Sequence, residues 1–126
     1  MAALQDLRVL VVENDEMSAA LLQMQLVQAG AVVVGLAATV ADSLRLLQET
    51  SPDVALLDYR LARNETSEPV AAALAAAGVP FVLATGMTAE QLPASMRDGV
   101  LLVKPYLSVD LSQALLRAVG RTGARA

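Results

Sequence analysis

Short, continuous apolar runs alternate with segments of helical period along this chain. "RVLVV" (8–12) is apolar after its first residue, as expected of a strand covered on both faces. Met17, Ala20, Leu21, Met24 and Val27 then recur at helical spacing, and Gly30 is placed to close that helix. "VVVGLA" (32–37) reads as a second strand, and Thr39 with Asp42 resembles a capping pair that opens a helix through Leu44 and Leu47, ending before Pro52. "VALLD" (54–58) is a third strand; Ser67, Glu68 and Pro69 open an alanine-rich helix that stops at Gly78. "VPFVLAT" (79–85) is a fourth strand, with its proline tolerable near the start. "TAEQLPASMRDG" predicts a short helix whose ends Pro93 blurs. "VLLV" (100–103) is a fifth strand, and Ser108 is placed to cap a last helix through Leu111, Leu115 and Val119, before a fraying "RTGARA".

Five alternating strand–helix units imply an α/β fold: a doubly wound, five-stranded parallel sheet with helices on both faces, in three layers. In such sheets ligands bind beyond the carboxyl ends of the strands. Those ends are therefore where chemistry is expected.

Composition narrows the chemistry. The 126 residues suffice for one domain, and with 56% apolar residues a sizeable core can form. Only Tyr59, Phe81 and Tyr106 are aromatic, so alanine, valine and leucine do the packing. A net charge of −4 argues against a nucleic-acid-binding surface. Without cysteine there is no disulfide or thiolate metal site; without histidine, serine–histidine catalysis and the usual zinc sites are excluded. The opening residues lack the pattern of a signal peptide and no apolar run is long enough to span a bilayer, so a cytoplasmic location is expected.

Of the nine basic residues only one is lysine, Lys104, directly after the fifth strand. The first strand ends in "ENDE", the third in Asp58, the fourth in Thr85–Gly86 and the fifth in Lys104–Pro105. Singly, each has an ordinary reading as a helix cap or turn residue. Together they supply oxygen ligands for a hard cation such as Mg²⁺, a carboxylate nucleophile, and a hydroxyl and an ammonium to meet a phosphoryl group. Asp58 is the candidate nucleophile, since a carboxylate is ionised at neutral pH and needs no base.

With "LVVEND", "PDVALLD", "LATG" and "LLVKPY" in this order, nearly the whole chain resembles a receiver domain of two-component response regulators, CheY-like in fold. The resemblance implies strand order 2-1-3-4-5, a receiver domain over 1–121 and a tail over 122–126. It implies that Asp58 accepts a phosphoryl group from a histidine kinase or phosphotransferase, with slow self-catalysed dephosphorylation rather than enzymatic turnover. By the same resemblance Glu13, Asn14, Asp58 and the backbone carbonyl of Arg60 bind Mg²⁺, with Asp15 as a further candidate. Thr85 and Lys104 meet the phosphoryl group, and the Lys104–Pro105 bond is cis. A downstream protein partner, no direct contact with nucleic acid or membrane, and a monomer or weak dimer are expected. The partner surface is expected around the fourth helix, fifth strand and fifth helix, with Gly86, Met87, Leu92, Met96, Leu101 and Tyr106 in or near it.

Two positions depart from the family. Asn14 stands where the second acid is usual, which should weaken metal affinity; Leu101 stands where an aromatic switch residue is usual, leaving any relay to Thr85, Gly86, Met87 and the loop beyond. "GVPFVLATGM" and "LLDYRLARNETSEPVAAAL" are similar to an alphaproteobacterial group with a Phe-Ala-Thr-Gly signature (FATGUY) that also lacks the aromatic, with Leu83 in place of the signature phenylalanine. Asn14 and Leu101 also suit an alternative, a pseudo-receiver that binds a partner without phosphorylation. An aspartyl phosphatase is disfavoured, because Arg60 stands two residues after Asp58, where such enzymes carry an acid.

Overall fold

The computed structural model describes residues 3–122. Strands β1 (Arg8–Val12), β2 (Val32–Ala37), β3 (Val54–Asp58), β4 (Phe81–Thr85) and β5 (Val100–Val103) form one parallel sheet in the order β2-β1-β3-β4-β5. Its α-helices among the described residues are α1 (Glu16–Gln28), α2 (Val40–Thr50), α3 (Glu68–Ala77) and α4 (Ser108–Thr122). This is the doubly wound, flavodoxin-like architecture with the expected strand order.

Alternation along each strand sorts side chains between two apolar layers. Val9, Val11, Val54, Leu56, Val82 and Leu102 meet Leu22 and Leu26 of α1 and Leu111 and Leu115 of α4. Leu10, Val12, Ala55, Leu57 and Leu83 meet Leu47 of α2 and Val70 and Leu74 of α3 on the other face. Leu10, Leu26, Leu56, Leu74 and Leu115 are fully withdrawn from water, a gain of about 1.5–3 kcal/mol each. At the sheet's carboxyl rim the apolar strands give way to polar residues: Asp58 and Thr85 end β3 and β4, and Glu13 and Lys104 directly follow β1 and β5.

Capping follows the sequence in part. Thr39 caps α2 by accepting from the Asp42 N–H (3.2 Å), and Gly78, at φ 73°, ends α3 in the left-handed region. Ser108, expected to cap the last helix, instead accepts from Gln25 Nε2 at 3.2 Å and so ties α4 to α1. The cap is built by Asp110, whose Oδ2 accepts from the Leu107 N–H at 3.0 Å.

Three further differences have physical causes. β4 begins at Phe81 rather than 79, because Pro80 has no N–H for the ladder and contributes only its carbonyl, to Ala55 N at 3.1 Å. The short helix expected before β5 is instead two 3-10 turns, Ala89–Gln91 and Ala94–Asp98. Pro93 cannot donate, and it holds Leu92 extended (φ −90°, ψ 146°), which breaks the helix at that point. In α1 the stripe Met17, Leu21, Met24 and Val27 lies in solvent, while Ala19, Leu22 and Leu26 face the sheet. The helix carries apolar residues on two opposing sides, so periodicity cannot choose its buried side.

α4 runs through Thr122, and 123–126 of the expected tail lie outside the described residues. Among the described residues no helix is long and apolar enough to cross a membrane.

Candidate functional site

Three side chains from distant segments converge at the carboxyl rim. Lys104 Nζ lies 3.6 Å from Asp58 Oδ1 and 3.8 Å from Glu13 Oε1. Strand alternation explains the convergence. Glu13 follows Val12 and Asp58 follows Leu57, both of the α2–α3 layer, and Lys104 lies two residues past Leu102 of the α1–α4 layer, so alternation directs all three to the face covered by α1 and α4. Lateral pairing brings the segments together: Val12 pairs with Leu57, and the Lys104 N–H extends the β4–β5 ladder by donating to the Thr85 carbonyl at 2.9 Å. The distances suit ion pairing but exceed a tight charge-assisted hydrogen bond, so the ammonium is held near both carboxylates without being locked to either.

Glu13 is the buried member, its side chain 5% exposed against 18% for Asp58 and 37% for Lys104. Its Oε2 accepts from the Asp15 N–H at 3.2 Å. Burial pushes the Glu13 carboxyl above the ordinary range; the Asp15 N–H opposes this, the Asp58 carboxylate adds to it, and Lys104 offsets it in part. Asp15 is engaged elsewhere: its Oδ2 accepts from the Ser18 N–H at 2.8 Å as the cap of α1, and that bond lowers its pKa.

The other site residues are placed as follows. Asn14 is exposed and lines a groove of ≈ 230 Å³ between α1 and the end of β2, with Glu13, Gln23 and Leu36. Thr85 is buried, and its Oγ1 accepts from the Met87 N–H at 3.1 Å, a bond that leaves the hydroxyl hydrogen unused. Gly86 is exposed, and Met87 and Leu101 are half-buried against the α2–α3 core layer. Leu92 and Met96, expected in or near a partner patch, are core residues at 3% and 1% exposure. Tyr106 is half-buried beside the α1–α4 layer, and burial, then Glu13 and Asp58, raise the pKa of its hydroxyl. It lines a second groove of ≈ 410 Å³ with Glu13, Leu21, Gln25 and Lys104.

Sequence reasoning missed the loop after Asp58, which is a small hairpin. Ser67 N donates to Tyr59 O and Leu61 N to Glu65 O, both at 2.8 Å, around a turn in which Arg63 and Asn64 have φ of 63° and 59°. Two positive φ values mark a type I′ turn. Arg60 and Thr66 face each other between those two bonds, as a non-hydrogen-bonded pair. The Arg60 carbonyl therefore points away from Thr66, and among the described residues no hydrogen bond is donated to it. Arg-Asn carries no glycine to announce such a turn.

The oxygen donors near this rim are thus the Glu13 and Asp58 carboxylates, the Arg60 carbonyl and the Asn14 amide. Among the described residues no three acidic side chains form a cage. This donor set fits Mg²⁺, which takes one or two carboxylates and keeps its waters, better than it fits a cation needing a full protein shell.

Comparison with known proteins places the fold and the family. No family sequence model matches the chain, and a search of curated proteins finds no match. Among solved structures, SdrG from Sphingomonas melonis Fr1 is 36% identical with a TM-score of 0.76, covering 94% of this chain and 98% of that one. The signal receiver domain of a modulated diguanylate cyclase from Desulfovibrio desulfuricans G20 is 27% identical with a TM-score of 0.83, covering 96% of this chain and 100% of that one. The chain belongs to the response-regulator receiver domains.

The response regulator PhyR from Brucella abortus, 24% identical with a TM-score of 0.75, shares the fold; this receiver spans about half its length (52%). As the family resemblance implied, the Lys104–Pro105 bond is cis. A signal-receiving role follows from family membership.

Proposed function

We propose that this receiver accepts a phosphoryl group on Asp58 in a Mg²⁺-dependent reaction and signals through protein contacts. The observation that carries this reading is the convergence of Lys104 on Asp58 and Glu13 at 3.6 and 3.8 Å. The donors would be a phosphorylated histidine of a kinase or phosphotransferase, or a small acyl phosphate.

The chemistry asks little of the protein. An Asp58 carboxylate oxygen attacks phosphorus, an O–P bond forms, and the bond from phosphorus to the donor's nitrogen or acyl oxygen breaks, with the electron pair leaving on the donor. Lys104 is close enough to turn from the carboxylate to a phosphoryl oxygen, as a compact charge on a flexible stem can. Thr85 can donate its unused hydroxyl hydrogen to the same group while its Oγ1 still accepts from the Met87 N–H. Glu13, Asp58, the Arg60 carbonyl and Asn14 would hold Mg²⁺, which when bound neutralises charge on the transferring group. No group beside Asp58 is a histidine or thiol, so hydrolysis of the acyl phosphate is slow and the protein is a phosphoacceptor rather than a turnover enzyme. Asn14 carries one charge fewer than the usual acid, so metal binding is weak.

Incubation with acetyl phosphate and Mg²⁺, followed by intact mass, tests this. One added phosphoryl group, lost in Asp58→Ala, supports it. No addition from any donor or kinase instead supports the second reading, a phosphorylation-independent interaction module, which Asn14 favours.

A further inference from the structure

We propose that Glu65 is a positioning residue for the metal-binding rim, acting through the Arg60 carbonyl. The inference rests on the phosphoacceptor reading and adds a residue that touches neither metal nor phosphoryl group.

Two oxygen-bearing segments of the rim hang from one short stretch of chain. The Ala37 carbonyl accepts from the Glu13 N–H at 2.8 Å, and the Ala38 carbonyl accepts from Ala62 N at 3.0 Å. Two residues on, the Val40 N–H donates to Glu65 Oε1 at 2.9 Å. Residues 37–40 thus hold Glu13 on one side and the hairpin of Arg60 on the other.

Glu65 is the pivot of that hairpin. Its backbone carbonyl accepts from Leu61 N, immediately after Arg60, and its carboxylate is the hairpin's side-chain anchor to α2. A two-stranded hairpin is marginal in water by itself, and this one closes over two left-handed residues, so it depends on its anchors: the buried Tyr59 and Leu61, the Ala62–Ala38 bond and the Glu65 carboxylate. The carboxylate also suits its place, because Val40 is the first residue of α2 and its N–H has no partner within the helix. Without the Glu65 carboxylate the hairpin keeps its internal bonds, the buried Tyr59 and Leu61 and the Ala62–Ala38 bond, but loses its tie to the start of α2, so the Arg60 carbonyl is held less firmly relative to Glu13 and Asp58.

Mg²⁺ titration followed by amide NMR shifts, on the unphosphorylated full chain, tests the idea. Glu65→Ala should weaken the binding midpoint about tenfold, the low end of what supports outside the ligand shell contribute. Glu65→Gln, which keeps an acceptor for Val40, should stay within about twofold of wild type. Should Glu65→Ala fail to fold, Glu65→Asp, one methylene too short to reach, takes its place under the same criterion. Wild-type binding with an unmoved midpoint in the folded variant, whatever its Tm, overturns the proposal and leaves the phosphoacceptor reading intact. A wild type that takes up no Mg²⁺ overturns both.

Discussion

Lys104 and Glu13 form an ion pair across the rim at 3.8 Å, and Lys104 reaches Asp58 as well, so one ammonium serves two carboxylates. In that position it occupies the negative potential that a divalent cation would use. Lys104→Met should therefore tighten Mg²⁺ binding, by about three- to tenfold for a part-exposed pair, while slowing phosphorylation by acetyl phosphate about a hundredfold. Paired titration and intact-mass kinetics separate the two effects. Weaker metal binding in the variant would count against the competition.

Glu13 carries the pH dependence. Its native pKa lies above the ordinary value near 4.5, chiefly through burial, so its charged form costs stability at neutral pH. That cost is fully present above the native pKa and is relieved as pH falls through it towards 4.5. Glu13→Gln keeps an acceptor for the Asp15 N–H and removes the charge. Thermal melts should show a Tm gain of a few degrees at about pH 7.5, shrinking to nothing near pH 4.5. A gain that does not vary with pH would show that charge is not its cause.

Arg63 sits at φ 63° in the turn after Asp58, where a side chain with Cβ is disfavoured. Replacing Arg63 by Asn together with Asn64 by Gly supplies the residues a type I′ turn prefers. Denaturant unfolding should show about 0.5–1 kcal/mol of added stability. Arg63→Val should do the opposite, by about 1–2 kcal/mol.

Arg97 holds the segment that stands where a helix was expected. Its Nε donates to Ala89 O at 2.9 Å, and its Nη2 to Leu92 O at 3.0 Å and Glu90 O at 3.4 Å. Arg97→Ala should cost about 1–2 kcal/mol and speed hydrogen exchange at the Gln91 and Leu92 amides, both of which donate within the turn. Arg97→Lys should restore little, since an ammonium cannot span three carbonyls as the planar fork does.

Some of these features were legible in the chain and others were not. The strands read clearly because residues buried on both faces must be apolar, and their polar successors mark where burial ends. Pro93 announced trouble in the segment before β5. It could not announce that the helix would be lost altogether, nor that Leu92 and Met96 would be buried and Arg97 would clasp the carbonyls. The exposed stripe of α1 misleads for a related reason: Met17, Leu21, Met24 and Val27 have the same period as the buried Ala19, Leu22 and Leu26. The hairpin of Arg60 and Glu65 left no local trace, because Arg-Asn is a poor sign of a type I′ turn and the contact with Val40 spans 25 positions.

By itself the sequence determined the layered fold and which chemical groups end each strand, because backbone alternation and apolar burial act locally and leave a periodic record. Only the tertiary structure decided which of those groups meet. Pairing between remote strands sets that Lys104 faces Glu13 and Asp58, and packing of the hairpin against the start of α2 sets that Glu65 braces the loop after the acceptor. Such meetings depend on register and side-chain direction across the sheet, which no stretch of the chain encodes alone.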